Sequence, residues 1–341
     1  MGPGIKASIA LIAYILMFLM PVVASAQRIT GAGATFPAPL YLQWGEAAYR
    51  AIGIELDYRA IGSAGGQEQI LNRTVDFGAS DAPMDAATLE QGHLLQVPTV
   101  MGAVVGIINL PGIAADELKL SETLVADIYA GTIKRWNDPR IAEVNPGLKL
   151  PDLAITPIHR AEGSGTTFVW TSYLSAVSPQ WRTTAGAATS IHWPAGKGAR
   201  GNEGVAAVVR KTTGSIGYVE SVYASANNLT TIQLRNKSGH YVAPSVAAFE
   251  AAAAQADWLE AKNFAVNIIN MPGEASWPIV SATFILLPGD PQEPKQQANV
   301  VKFFNWAYNN GAEIAANLHY VPLPRTVRDA ALAAMDRPIK N

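Results

Sequence analysis

The sequence predicts an α/β protein with mostly parallel sheets, arranged as two lobes. Two observations predict the α/β class. Short β-branched runs alternate with longer helix-like stretches, and glycine-rich loops recur where a run ends and a helix-like stretch begins. Strand, glycine loop, helix, strand is the pattern of crossover-connected sheets. Length predicts the lobes. Removal of an N-terminal export segment leaves 315 of the 341 residues, and single cores tend to split above about 250–300 residues.

Taken in order, the first element is that export segment, residues 1–26. Lys6 is its only charged side chain, an apolar run spans 7–20, Pro21 follows, and Ala24-Ser25-Ala26 offers a small-residue cleavage site before Gln27. The run is short for a membrane span, which needs about 20 residues. Strands are expected at 28–30, 54–58, 75–79, 155–159, 216–219 and 280–287. Helices are expected at 37–51, 67–72, 124–129, 166–176, 204–211 and 300–310, with an amphipathic pattern over 246–258. Two long apolar strands, near 98–110 and 278–288, are the segments expected to cross between lobes. One lobe would then hold 27–104 and 278–341, and the other 105–277.

Bulk chemistry excludes several classes. Cleavage removes Lys6 and no acid, so the exported chain carries a net charge of −3. That argues against nucleic acid and anionic membranes, which select basic surfaces. With no cysteine, disulfides, thiolate metal sites and a lipid-modified N-terminal Cys are all excluded. The five histidines are scattered and no H-E-x-x-H occurs, so neither a metal site nor a cofactor is expected. Gly196, Gly198 and Gly201 fit G-x-G-x-x-G, but no clean strand precedes them and no acidic ribose partner is evident. The segment is expected to be a flexible loop.

Three loops share one design: Thr30 to Phe36 (TGAGATF), Ile61 to Gly66 (IGSAGG) and Arg160 to Thr167 (RAEGSGTT). Each joins small residues and a hydroxyl to a helix start, where unpaired N–H groups and a partial positive charge attract anions. Together they suggest a cleft that surrounds a small oxyanion. Arg160 offers a planar fork of donors. Glu162 has two readings, pinning that guanidinium or favouring a helix N-terminus. Asp81 suits an anion that carries a proton, because a carboxylate only accepts hydrogen bonds; its competing and favoured reading is a helix N-cap before Ala82-Pro83-Met84-Asp85. Thr35 and Ser63 each read equally as helix caps or as ligand groups.

Several blocks, in order, resemble the periplasmic substrate-binding protein of the high-affinity phosphate (Pst) ABC transporter. They are TGAGATFPAPLY (30–41), IGSAGGQEQI (61–70), VDFGASDAPM (75–84), the arginine with its GSGT loop (160–166), GNEGVAAVV (201–209), GSIGYVE (214–220), WPIVSATFIL (277–286) and KFFNWAY (302–308). The resemblance implies a type II-like two-lobed periplasmic-binding-protein fold with the ligand in the inter-lobe cleft. It implies a non-catalytic, exported, monomeric protein that hands inorganic phosphate to an inner-membrane ABC permease and its ATPase. By motif position the phosphate shell would be Thr35, Phe36 (through its N–H), Ser63, Asp81, Arg160, Ser164, Gly165 and Thr166, with Glu162 in support. The family carries aspartate where this chain has Glu162, and a second arginine can occur where it has His159. The alternatives are another oxyanion binder of the sulfate or molybdate class, which Asp81 disfavours, and a secreted phosphatase, which lacks a visible nucleophile or metal pair.

Overall fold

The computed structural model describes residues 27–258 and 260–336. The expected export segment lies outside them. The chain opens with β1 (Gln27–Gly33), α1 (Ala38–Ile52), β2 (Ile54–Ala60), α2 (Ser63–Leu71), β3 (Phe77–Ser80), α3 (Ala86–Gln91) and the 16-residue β4 (Leu94–Asn109). It continues through β5 (Lys119–Leu120), α4 (Glu122–Tyr129), α5 (Pro139–Val144), β6 (Thr156–Arg160), α6 (Gly165–Val177), α7 (Pro179–Thr184), β7 (Lys197–Ala199), α8 (Gly201–Lys211), β8 (Ser215–Glu220) and α9 (Ser221–Ala226). After β9 (Thr230–Thr231), β10 (Gln233–Arg235), β11 (Tyr241–Val242) and α10 (Val246–Ala253), β12 (Val280–Pro288) returns to the first half of the sheet. Helices α11 (Pro294–Asn310), α12 (Ala312–Asn317) and α13 (Arg325–Met335) follow.

The main sheet runs β2-β1-β3-β12-β4-β8-β6-β7. Its outer strands are parallel: β2, β1 and β3 at one end, β8, β6 and β7 at the other. The two central strands are antiparallel to their neighbours. β4 changes partners part-way along. Residues from Leu94 to Ala103 pair with β12, and Val104 to Asn109 pair with β8. Helices cover both faces, so β4 is buried along nearly its whole length, which suits its β-branched sequence. Pro98 cannot donate to a ladder; the register shifts there, between Thr283 and Phe284 on β12.

The expected strands and helices form, with shifted ends. The amphipathic 246–258 pattern is a helix only to Ala253. The expected flexible loop near 195–201 contains β7, paired in parallel with β6. Gly201, in the left-handed region at φ +71°, then opens α8.

Candidate functional site

All three glycine loops end at one crevice between the two halves of the sheet. Across it, the Ala64 N–H donates to the Gly163 carbonyl (3.2 Å) and the Tyr223 hydroxyl donates to the Thr35 carbonyl (2.6 Å). Gly165 is a point of close approach: a Cβ there would lie 2.4 Å from Ser63 Oγ and 2.6 Å from Asp81 Oδ2. This is a closed arrangement that only glycine permits. Gly165→Ala should therefore wedge the lobes apart. We expect the affinity for the cleft's ligand to fall at least about 100-fold, by analogy with overpacking costs of about 1–3 kcal/mol plus loss of the closed contacts. Small-angle scattering at saturating ligand should show a larger radius of gyration than wild type.

The structure brings the expected residues together. Asp81 follows β3 and is 1% exposed. It does not cap a helix, correcting the favoured sequence reading. Asp85 caps α3 instead, accepting the Thr88 N–H. Asp81 Oδ1 accepts the Thr283 hydroxyl at 2.6 Å, its N–H donates to Ser63 Oγ at 3.2 Å, and Oδ2 lies 3.5 Å from that hydroxyl. Ser63 and Thr35 likewise make no side-chain cap of α2 or α1. Phe36 is buried, with Thr35 beside it; its carbonyl accepts the Tyr320 hydroxyl.

On the facing side β6 delivers Arg160, 3% exposed. Its Nε (2.9 Å) and Nη2 donate to Glu162 Oε1, and its Nη1 donates to Thr166 Oγ1 at 3.1 Å. Glu162 thus pins the guanidinium rather than serving α6. The N-cap of α6 is Ser164, whose hydroxyl accepts the Thr167 N–H at 3.1 Å. The N–H groups of Gly165 and Thr166 open that helix, so no intrahelical carbonyl reaches them. His159 stacks on Trp193 (ring centroids 4.7 Å) and keeps its Nδ1 at the Arg160 carbonyl.

Burial pushes the Asp81 carboxyl up to about 7, against the Thr283 hydroxyl and the Arg160 charge. Burial also pushes Glu220, at the end of β8, up to about 8, against the hydrogen bonds from Ser221 and Val222. Burial raises Glu162 too, but its bonds from Arg160 outweigh this and hold it below its usual value. A carboxyl raised by folding binds more protons folded than unfolded, so its contribution is present below the unfolded value and lost as pH rises through the folded one. Without ligand the protein should lose stability between about pH 4 and 8, with Tm falling on the order of ten degrees. Asp81→Asn should flatten part of that slope in thermal scans.

Several residues at the site escaped sequence reading. Thr283 comes from β12, Tyr223 from α9, and Tyr218 accepts the Arg160 N–H at 3.1 Å. Asn202, wholly buried, faces both Thr35 and Thr166. Their one signal in the sequence is that the GNEGVAAVV, GSIGYVE and WPIVSATFIL blocks contain or adjoin them. A groove of about 390 Å³, lined among others by Thr35, Leu42, Glu162, Arg200 and Asn202, opens beside the crevice.

A cleft between two lobes, lined by helix-start N–H groups, hydroxyls and a guanidinium, defines the class of two-lobed solute-binding proteins. The PBP superfamily domain model matches residues 22–310. The phosphate-binding protein PstS of Pasteurella multocida is 47% identical, with 97% of this chain and 96% of that protein covered. That of Haemophilus influenzae is 48% identical, with 89% and 91% covered. The chain belongs to the PstS family of phosphate-binding proteins. Among solved structures, a phosphate binding protein from Stenotrophomonas maltophilia matches with a TM-score of 0.67 at 22% identity, over 90% of this chain and 94% of that one. A human phosphate binding apolipoprotein matches with a TM-score of 0.73 at 21% identity, over 89% and 93%. At those identities the likeness concerns the fold.

Proposed function

We propose that this protein binds inorganic phosphate in the periplasm and delivers it to an ABC permease and its ATPase, with no catalytic role of its own. The observation that carries the reading is the pairing of Asp81 with a donor-rich wall. The cleft gathers N–H, hydroxyl and guanidinium donors around a buried carboxyl, Asp81, that can accept a hydrogen bond from a ligand hydroxyl. Hydrogen phosphate has such a proton and neutral-pH sulfate does not. The ligand shell in this reading is Thr35, the Phe36 N–H, Ser63, Asp81, Arg160, Ser164, Gly165 and Thr166, with Glu162 holding Arg160. Membership of the PstS family supports it.

The lobes in this reading are 27–104 with 278–341, and 105–277. The partner change of β4 between Ala103 and Val104 supports that division. The chain acts as an exported monomer after cleavage between Ala26 and Gln27, and lobe closure presents the loaded form to the permease. Calorimetric titration of ligand-stripped protein tests the binding step. Tight one-to-one phosphate binding with sulfate rejected is the expected result. A folded sample that binds no phosphate would refute the proposal.

A further inference from the structure

We infer that Asn202 is a positioning residue that fixes the hydroxyls of Thr35 and Thr166 as donors toward the anion. The inference rests on the phosphate reading above. Asn202 is the second residue of α8, and its side chain is sealed from solvent. Its Oδ1 accepts the backbone N–H of Glu220 at 3.1 Å. A backbone N–H only donates, so this contact sets the orientation of the amide: oxygen toward β8, nitrogen toward the cleft.

Nδ2 then faces Thr35 Oγ1 at 2.8 Å and Thr166 Oγ1 at 3.5 Å. An amide nitrogen also only donates, so both threonine oxygens are acceptors here. Thr166 Oγ1 accepts from Arg160 Nη1 as well. A hydroxyl has two lone pairs and one proton. With both lone pairs of Thr166 engaged, its proton is what remains to offer. Thr35 has one lone pair engaged by Asn202, which turns its proton away from the amide, and among the described residues its hydroxyl donates to nothing. Without Asn202 either hydroxyl can rotate and present a lone pair to the anion, which repels it. The two threonines sit on opposite lobes, so one amide orients a donor from each at the moment of closure. Preorganised donors of this kind need no rotation when the charge arrives.

A plain structural role, tying α8 to β8, predicts something different. Asn202→Asp keeps the shape but replaces the donor with an acceptor. It would draw both threonine protons away from the ligand. Asn202→Ala merely deletes the donor. The test is phosphate titration by calorimetry at pH 8.5 on wild type, N202A, N202D, T35V and T35V/N202A, with thermal unfolding to verify folding. We expect N202A to weaken binding about 10- to 100-fold, N202D to be at least about tenfold weaker again, and the N202A loss to shrink in the T35V background, where one of its two targets is gone. Asn202→Ser replaces N202A should the latter not fold. N202D binding as well as N202A, or an N202A loss unchanged by T35V, would overturn the inference. A wild type that binds no phosphate refutes the phosphate reading instead; the same ranking is then taken with whichever of arsenate or sulfate the wild type binds.

Discussion

Arg160→Met is expected to weaken phosphate binding about 100- to 1,000-fold. The size follows from how the guanidinium is committed. Arginine carries five N–H groups. One on Nε and one on Nη2 go to Glu162, and one on Nη1 goes to Thr166. Two remain, one on each terminal nitrogen, as a fork for the ligand. The side chain is almost fully buried, so its charge acts with little screening. Truncating one partner of a buried, charge-assisted pair costs about 2–5 kcal/mol. The same substitution also strands Glu162, which keeps only the Gly201 N–H at 3.0 Å. Its side chain is only 13% exposed, and losing a buried ion-pair partner costs about 3 kcal/mol or more. Thermal stability near neutral pH should therefore fall with affinity. The double variant R160M/E162Q separates the two: it should recover most of the stability and none of the affinity. Arg160→Met binding within tenfold of wild type would remove Arg160 from the ligand shell.

The fold was legible where local pattern and tertiary demand agree. The β-branched run near 98–110 marks β4, and Pro37 marks the start of α1. Sequence reading failed where distant packing decides. A helix is expected from 67, yet α2 starts at Ser63 and runs through Gly65-Gly66, a pair with poor helix propensity. Gly66 is there for space, not propensity. A Cβ on it would lie 2.5 Å from Gly33 Cα and 2.6 Å from the Ala32 carbonyl. Asp81 read as a cap because Asp-x-x-x spacing cannot say which of two aspartates the helix takes; Asp85 is closer to the start of α3. The motif residues of the cleft were legible because they sit in contiguous loops. Asn202 and Thr283 were not, because what they touch, Thr35 and Asp81, lies 167 and 202 positions away.

Asp81→Asn is expected to collapse the rejection of sulfate, narrowing the phosphate-to-sulfate affinity ratio at least about 100-fold. A site built around a ligand hydroxyl can reject an analogue lacking it by about 10⁴–10⁵. In the proposed shell an ionised Asp81 accepts a hydrogen bond from the hydroxyl of hydrogen phosphate, whereas a sulfate oxygen would face the carboxylate with no proton between them. Asparagine offers an N–H instead and removes the charge. The pH dependence is the sharper test. Burial pushes the Asp81 carboxyl up to about 7, so below that pH the wild-type carboxyl carries its own proton and can donate to sulfate. Sulfate binding to the wild type must then take up one proton above pH 7. Its affinity should fall about tenfold per pH unit there and level off below pH 7. Phosphate brings the proton with it and should show a much shallower slope. In Asp81→Asn no carboxyl titrates at that position, so the sulfate slope should vanish while some affinity persists at pH 8. Calorimetry in buffers of different ionisation enthalpy counts the protons directly. A wild-type sulfate affinity that stays flat from pH 5 to pH 8 would show that Asp81 does not govern anion choice, and the rejection would then have to come from cleft size alone.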